Sequence, residues 1–266
     1  MERGGSTRRE VWTPRTKKDK EVITWSHTKI SDYLQCPAKF YEKYIKKSTA
    51  RSSSEAMEKG NRIHKLLENA VNQEDGVDRN IGDITSSGLM PVVELINRLK
   101  DLGAAAELEL GVKKDWTPCS FWDKEVWGRC KIDILVADKQ GRGIIVDWKT
   151  GATKNLKYQT ENELKLHAVI AGAHFPELKI ISGRYYYTQG FCFYPTPPDK
   201  PYIFTNLIAE RYKINELMGR IEYAVENDKC GTRKGPLCPW CEVKTCKHCK
   251  PKEVQYTRVT PYPEDK

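Results

Sequence analysis

The stretch that decides the fold runs from residue 128 to residue 149 and reads GRCKIDILVADKQGRGIIVDWK. Two segments with alternating apolar residues flank the polar turn DKQGRG, a pattern typical of a β-hairpin. We therefore expect one strand over residues 124–136 and a second over residues 143–149. This hairpin predicts that the surrounding chain is organised around a β-sheet.

Three charged side chains of the hairpin form a candidate reaction centre. Asp147 and Lys149 are two residues apart on a strand, so both leave the same face, and Asp133 can reach them from the adjacent strand. Neighbouring carboxylates repel unless a cation bridges them, and oxygen ligands suit Mg²⁺ or Mn²⁺. Such an ion can hold a phosphate while the lysine orients the attacking water. An isolated Asp-x-Lys is more often a buried salt bridge, so the hairpin alone leaves both interpretations open.

The segments outside the hairpin predict helices on both sides of a mixed sheet. Upstream of the hairpin, the apolar spacing indicates four helices followed by the first strand. Downstream, it indicates a helix, a strand and a long amphipathic helix. The resulting order is helix, three strands, helix, strand, with extra helices at both ends, which is an α/β fold. The expected helices are 27–35, 37–47, 55–71, 90–102, about 158–172 and 203–227, and the remaining strands are 106–114 and 179–189.

Composition and charge limit the classes of protein that fit this chain. Its 266 residues are 39% hydrophobic, enough for a proper core, and no apolar stretch could cross a bilayer. The net charge of +9 favours a polyanionic partner, unless solvated tails carry the excess. We expect a soluble intracellular protein with a disordered basic arm (1–21), one domain (22–250) and a C-terminal tail (251–266).

The cysteines indicate a metal or cluster site. Four of the nine lie within twelve residues near the C-terminus, and their uneven spacing does not resemble a secreted disulfide framework. The CxxC…CxxC pattern is a strong signal for metal, yet the interval between the two pairs is short for a zinc ribbon. The four residues are Cys238, Cys241, Cys246 and Cys249.

Five sequence motifs in order resemble the RecB-like branch of the PD-(D/E)XK nucleases, which includes the CRISPR-adaptation exonucleases. They span about residues 25–250 and read SHTKISDYLQCPAKFYEKY, GNRIH, GRCKIDIL, IIVDWKTG and CPWCEVKTC. The resemblance implies the PD-(D/E)XK fold and hydrolysis of DNA phosphodiesters with Mg²⁺ or Mn²⁺. It makes Asp133 and Asp147 metal ligands, Lys149 the lysine of the motif, His64 a further ligand or phosphate contact, and the Trp148 carbonyl an additional ligand.

Two positions near this set extend or depart from the family pattern. Glu107 or Glu109, on the preceding strand, could add an acidic ligand. The family usually carries a QxxxY element on the helix after the lysine, which helps to hold DNA; that register falls here on Glu163 and His167. An acid does not attract phosphate, and Gln159, one turn earlier, could substitute. Gln159 and His167 are thus the candidate DNA contacts.

The cysteines resemble a subset of the family, including the AddB nuclease, that carries a 4Fe–4S cluster on one cysteine before the nuclease core and three after it. The resemblance implies Cys36, Cys238, Cys241 and Cys246 as ligands, with Cys249 as the alternate, clasping the chain ends together. The rival interpretation is Zn²⁺ held by the four C-terminal cysteines alone.

The resemblance favours an exonuclease acting on single-stranded DNA ends, in recombination, repair or replication, in the cytoplasm of a bacterium or phage-infected cell. The chain lacks GxxxxGK[ST], so unwinding would need a helicase or recombination partner. The alternative from another class is a catalytically silent DNA-binding module stabilised by the cluster. A zinc-dependent RNA- or protein-interaction factor is disfavoured because the acids and the lysine are all present.

Overall fold

A seven-stranded mixed sheet forms the centre of the computed structural model, which describes residues 23–49, 54–72, 84, 87–153, 159–195, 200–243 and 246–249. The strands are β1 (Ala105–Val112), β2 (Pro118–Ser120), β3 (Gly128–Ala137), β4 (Arg142–Lys149), β5 (Ile180–Tyr187), β6 (Cys192–Tyr194) and β7 (Tyr202–Phe204). Their order is β2-β1-β3-β4-β5-β6, and β7 also pairs with β5. The β4–β5 pair is parallel and the others are antiparallel.

The helices lie on both faces of this sheet, and the predicted α/β architecture with a mixed sheet is confirmed. They are α1 (His27–Gln35), α2 (Pro37–Phe40, continued by the π-helical turn Tyr41–Ile45), α3 (Glu55–Asn72), α4 (Met90–Asp101), α5 (Asn162–His174) and α6 (Leu207–Glu226). One apolar cluster joins the sheet to α1, α5 and α6, and a second joins it to α3 and α4. No described helix is both long and apolar enough to span a membrane.

Two predicted boundaries were wrong for local reasons, and three short strands were missed. The strand expected over 124–136 begins at Gly128, because residues 123–126 form a turn instead. In this turn the Asp123 backbone carbonyl accepts the Val126 backbone N–H at 3.2 Å. The helix expected from residue 203 begins at Leu207, because residues 202–204 pair with β5 instead. The strands β2, β6 and β7 were not predicted, because three residues are too few to show an alternating pattern. The predicted arm (1–21) and tail (251–266) lie outside the described residues.

Strands β1 and β3 each reverse their sides midway. Leu108 and Ala106 are two residues apart on β1 yet pack into different apolar clusters, and Ile132 and Ile134 do the same on β3. Residues two apart on a regular strand share a face. Glu107, between the two β1 residues, has φ 55°, in the left-handed region that non-glycine residues rarely adopt. The reversal is therefore built into the backbone at this acidic residue.

The N-terminal helices contact the C-terminal segment. The Ala38 backbone N–H donates to the Gly231 carbonyl at 3.2 Å, and the Tyr41 hydroxyl donates to Asp228 at 3.2 Å. The Arg233 backbone N–H donates to the Cys36 thiol sulfur at 3.4 Å. The N-terminal helices and the segment after α6 are thus adjacent through ordinary contacts, and the cysteine clasp itself stays a prediction.

Candidate active site

Asp147 and Lys149 leave the same side of β4 and point towards α5, as their spacing predicts. Asp147 is buried, and Lys149 Nζ lies 2.6 Å from its Oδ1. The same ammonium donates a hydrogen bond of 2.7 Å to Oε2 of Glu163 on α5. Lys149 is therefore held between two carboxylates, one from the sheet and one from a helix.

Asp133 connects this pair to a second group of side chains. Its Oδ2 accepts the backbone N–H of Trp148 at 2.8 Å, and its Oδ1 lies 3.4 Å from His64 Nδ1. The same histidine nitrogen is 3.8 Å from Glu107 Oε1. His64, Glu107 and Asp133 each offer a ligand atom within 4.8 Å of the others. Of the two glutamates considered from sequence, it is Glu107 that joins this group.

The glycine of the GNRIH motif explains how His64 reaches the sheet. Gly60 is buried one turn before His64 on α3. A Cβ at Gly60 would lie 3.0 Å from Thr150 Oγ1, closer than most real Cβ contacts. Only glycine allows α3 to approach the end of β4 this closely without displacing Thr150. Because His64 is on the same helix, this close approach also places His64 in the site.

The electrostatics of the group favour an added positive charge. Burial raises the pKa of Asp147 well above its ordinary value; the Lys149 cation opposes this, while Glu163 and Asp133 reinforce it. Burial lowers the pKa of His64, but the nearby Asp133 and Glu107 carboxylates, with the Asp147 charge, outweigh it and raise the value to about 10. The carboxylates therefore keep His64 protonated. A bound metal ion would neutralise their charge in place of this proton.

The sequence model of the PD-(D/E)XK nuclease superfamily matches residues 24–250. The chain belongs to this superfamily. None of the curated proteins matches it significantly. The resemblance to the RecB-like branch within the superfamily stays a prediction.

Two solved structures are similar to this PD-(D/E)XK chain at low identity. One is the crystal structure of the protein SSO0001, with 16% identity, coverage of 88% of this chain and 90% of the other, and a TM-score of 0.38. The second is a "Putative exonuclease" from Eubacterium rectale, with 13% identity, coverage of 86% and 93%, and a TM-score of 0.42.

The residues of this nuclease fit a divalent metal ion, the cofactor that PD-(D/E)XK nucleases use. Carboxylate oxygens and one imidazole nitrogen converge, a donor set suited to Mg²⁺ or Mn²⁺. Asp147 Oδ1 is buried without a hydrogen-bond partner, although Lys149 Nζ lies 2.6 Å from it. A buried oxygen in that state is available as a ligand.

Glu163 has a role that the sequence interpretation missed. It occupies the glutamine position of the family's helix element, and the sequence suggested only that an acid there would not attract phosphate. In the structure it pairs with Lys149, and its Oε1 lies 3.4 Å from His27 Nδ1. The sequence offered one signal for this role. Glu163 is an acidic residue on the helix that follows Lys149, and a buried lysine needs a counter-charge.

The two candidate DNA contacts on this nuclease differ in setting. His167 on α5 is 6% exposed, and its Nδ1 has no hydrogen-bond partner. It is one of the residues that line a cavity at this site. Burial lowers its pKa to about 4, so the ring is neutral. Gln159 accepts a hydrogen bond of 3.1 Å from the Tyr187 hydroxyl. Their contact with DNA stays a prediction, as does coordination by the Trp148 carbonyl.

A cavity of about 530 Å³ at the nuclease site is lined by His64, Asp133, Asp147, Lys149 and Glu163. Residues from the start of α1, from α3 and from α5 line it. Phe121, Arg129 and Lys131, to which the sequence interpretation gave no role, line it as well. Lys131 Nζ lies 2.5 Å from Glu107 Oε2, so positive charge extends from the ligand group along β3.

The cysteines divide into two settings. Burial and the neighbouring Cys241 and Cys246 raise the pKa of the Cys249 thiol to about 12. Cys238 accepts the backbone N–H of Gly235 at 3.2 Å, and Cys36 accepts that of Arg233. These contacts do not support a 4Fe–4S cluster over zinc, and both assignments stay predictions.

Proposed function

We propose that this PD-(D/E)XK nuclease is a Mg²⁺- or Mn²⁺-dependent deoxyribonuclease that degrades DNA from its ends, preferring single strands. The observation that carries the proposal is the convergence of His64, Glu107 and Asp133 beside the buried Asp147–Lys149 pair. An isolated Asp–Lys salt bridge would need no histidine and no further acids around it. Their convergence beside the pair favours a metal-dependent centre over a purely structural ion pair.

In this proposal His64, Glu107, Asp133 and Asp147 hold the metal ion, with the Trp148 carbonyl as a further ligand. A bound Mg²⁺ or Mn²⁺ supplies positive charge to the scissile phosphate and acidifies water. Lys149 stays cationic, because Asp147 and Glu163 raise its pKa against the opposing effect of burial. Its ammonium can therefore orient the attacking water and balance the charge that develops on the phosphate.

The finer details of the activity come from the sequence resemblance. The exonucleases that the motifs resemble act on single-stranded DNA, and the net charge of +9 supports a polyanionic substrate. A helicase or recombination protein would supply unwinding in a cytoplasmic recombination, repair or replication reaction. We also propose a 4Fe–4S cluster on Cys36, Cys238, Cys241 and Cys246, with Cys249 as the alternate and zinc as the competing metal.

The test is digestion of single- and double-stranded DNA carrying either a terminal or an internal label. We expect cleavage with Mg²⁺ or Mn²⁺, little turnover with Ca²⁺, whose looser coordination positions water poorly, and none in excess chelator. Asp147→Asn should lower cleavage at least about 100-fold while DNA binding persists, because phosphate contacts are distributed over many residues. Early release of terminal label alone indicates an exonuclease.

Three outcomes would contradict the proposal. Robust cleavage in excess chelator, or by Asp147→Asn, would require different chemistry. DNA binding by the parent protein without cleavage in any metal would establish the silent binding module instead. Circular single-stranded DNA serves as the control for end dependence, since an exonuclease leaves it intact.

A further inference from the structure

An exposed aromatic pair lies beside the cavity, in the loop between β2 and β3. Phe121 lines the cavity, and the next residue, Trp122, is 71% exposed. Their ring centroids are 4.9 Å apart with an interplanar angle of 72°. A tryptophan this exposed contributes little to the core, and its burial would gain substantial apolar area.

Arg129 completes the group from the adjacent strand β3. Its guanidinium carbon lies 4.7 Å from the Phe121 ring centroid and 5.0 Å from that of Trp122. Arg129 also lines the cavity, four residues before Asp133 on the same strand. Cation–π contacts of this length fix the three side chains relative to one another.

The loop that carries the aromatics is held by short-range hydrogen bonds. The Trp122 backbone N–H donates to Ser120 Oγ at 3.3 Å, and the Asp123 N–H donates to the Ser120 carbonyl at 3.0 Å. Asp123 Oδ1 in turn accepts the Glu125 N–H at 2.7 Å. The exposed ring therefore sits on a turn that fixes its position before any ligand arrives.

We propose that Phe121, Trp122 and Arg129 form a stacking platform for an unpaired base of the strand whose phosphate occupies the cavity. The inference rests on the proposed deoxyribonuclease function and deepens it by naming the substrate class, DNA that is unpaired next to the scissile bond. Aromatic rings with a nearby guanidinium bind bases of any sequence, because every base presents a π-face. Bases inside a duplex keep these faces stacked, so a single-stranded end can engage the platform where a duplex interior cannot.

The charge along the cavity wall favours this occupant over an apolar protein surface. Lys131 lies between Arg129 and Asp133 in sequence and also lines the cavity. A nucleic acid strand would meet cations for its phosphates and aromatic faces for its bases on one wall. A protein partner would gain nothing from the adjacent metal-ligand group.

The experiment measures binding to a fluorescein-labelled single-stranded oligonucleotide by anisotropy, with Ca²⁺ present and Asp147→Asn as the non-cleaving background. Trp122→Ala should weaken binding about ten-fold, the size typical of one base–aromatic stack. Because no phosphate contact is removed, the dependence of log K on log salt should keep its slope. Trp122→Phe should recover most of the affinity. Tyr212→Ala is the matched control: this tyrosine of α6 is also 71% exposed and is not among the cavity-lining residues.

A second oligonucleotide carries abasic sites and keeps every phosphate. On this probe Trp122→Ala and the background protein should bind equally. The inference is overturned if Trp122→Ala binds the normal oligonucleotide like Tyr212→Ala, or loses as much affinity on the abasic probe. A partner protein retained through Trp122, with DNA binding unchanged, would also overturn it.

Cleavage by the parent protein, measured in parallel, separates this inference from the proposed function. Cleavage without any effect of Trp122→Ala on binding overturns the platform and leaves the nuclease. Base-dependent loss of binding in Trp122→Ala, from a parent protein that never cleaves, supports the platform and overturns the nuclease. Thermal unfolding of each variant confirms that the folded protein is compared.

Discussion

At the scale of single residues, the position of Lys149 is the feature on which the proposed chemistry depends most. Its ammonium contacts Asp147 on its own strand and Glu163 on α5. Two carboxylates fix a long flexible side chain better than one, and they keep it charged. Glu163 is therefore a positioning residue, which acts through the lysine and adds negative charge near the substrate phosphate.

Glu163→Gln should separate turnover from substrate binding. Loss of one anchor loosens Lys149 and should lower kcat about 10- to 100-fold. Removal of a negative charge from the cavity should at the same time lower the KM for DNA, since phosphate is repelled less. Steady-state kinetics on a labelled single strand measures both constants.

The control for this change is Glu161→Gln, at the residue immediately before α5. Glu161 pairs with Lys165 at 2.5 Å and is not among the cavity-lining residues, so neither constant should move. An unchanged kcat in Glu163→Gln would remove the positioning role. A rise in KM together with a fall in kcat would point to general damage instead.

At the scale of elements, the chain before α1 is fixed to β3 through a glycine. The Trp25 backbone N–H donates to the Trp127 carbonyl at 2.8 Å, and the Trp25 carbonyl accepts the Arg129 N–H at 3.1 Å. The Trp25 ring is 1% exposed and covers Gly128, where an added Cβ would lie 2.2 Å from it. The glycine of GRCKIDIL thus creates the space for this ring.

Gly128→Ala should destabilise the fold by about 1–3 kcal/mol, because the buried ring must move to admit the methyl group. Urea unfolding followed by circular dichroism measures the change. Gly219→Ala is the opposite control: this glycine is inside α6 with no atom within 4 Å of an added Cβ. It should stabilise the protein by about 0.5–1 kcal/mol through helix propensity. Equal stability of Gly128→Ala and the parent would contradict the packing argument.

Helices α1 and α2 are joined by a buried acid. Asp32 is 8% exposed, with Lys39 Nζ at 2.7 Å from Oδ1 and the Tyr44 hydroxyl at 2.7 Å from Oδ2. Burial raises the pKa of Asp32, but these hydrogen bonds and the Lys39 and Lys43 charges outweigh it and lower the value below 3.8. The carboxylate therefore stabilises the fold at pH values above its unfolded pKa, and this contribution is lost as the pH falls through the folded pKa.

Asp32→Asn should lower the free energy of unfolding by about 1–3 kcal/mol at pH 7, since charged hydrogen bonds are lost inside the protein. The difference from the parent should shrink as the pH falls below about 4, because the unfolded parent's carboxylate takes up a proton first and the folded parent's carboxylate follows at lower pH. Urea unfolding across this pH range measures it. Glu94→Gln, which removes an exposed pair with Arg98, should cost under about 1 kcal/mol. A difference that stays constant with pH would refute the ionic role.

At the scale of the whole molecule, the N-terminal helices and the segment after α6 form a junction that a metal cluster could reinforce. Cys36 contacts Arg233 in that segment, and the other candidate ligands follow it along the chain. A metal site absent from the unfolded chain adds its binding free energy to folding. The ligand set therefore determines which parts of the fold depend on the metal. A set with Cys36 includes the N-terminal helices, whereas the four C-terminal cysteines involve only the segment after α6.

Cys36→Ala should lose iron and lower the unfolding temperature of the whole domain if the 4Fe–4S assignment is right. Parent protein purified without oxygen should then contain about four irons per chain. Cys119→Ala, at a half-buried thiol on β2, should keep the iron. A colourless protein with one zinc, retained in Cys36→Ala, would establish the zinc alternative. The proposed nuclease would remain, because it depends on Asp133, Asp147 and Lys149.

The sequence by itself determined the features that depend on local backbone geometry. The two-residue period of a strand put Asp147 and Lys149 on one side, and the family motifs identified the superfamily and the histidine of α3. Each of these follows from residues near one another in the chain. The order of helices and strands, and hence the α/β architecture, could be predicted for the same reason.

Only the tertiary structure decided which residues of separate elements meet. It selected Glu107 over Glu109, because β1 reverses its sides at a residue with φ 55°. It paired Glu163 with Lys149 and brought Phe121 to the cavity wall. Distances between elements depend on how helices and strands pack, and packing is set by contacts across the whole chain, which no local period or motif specifies.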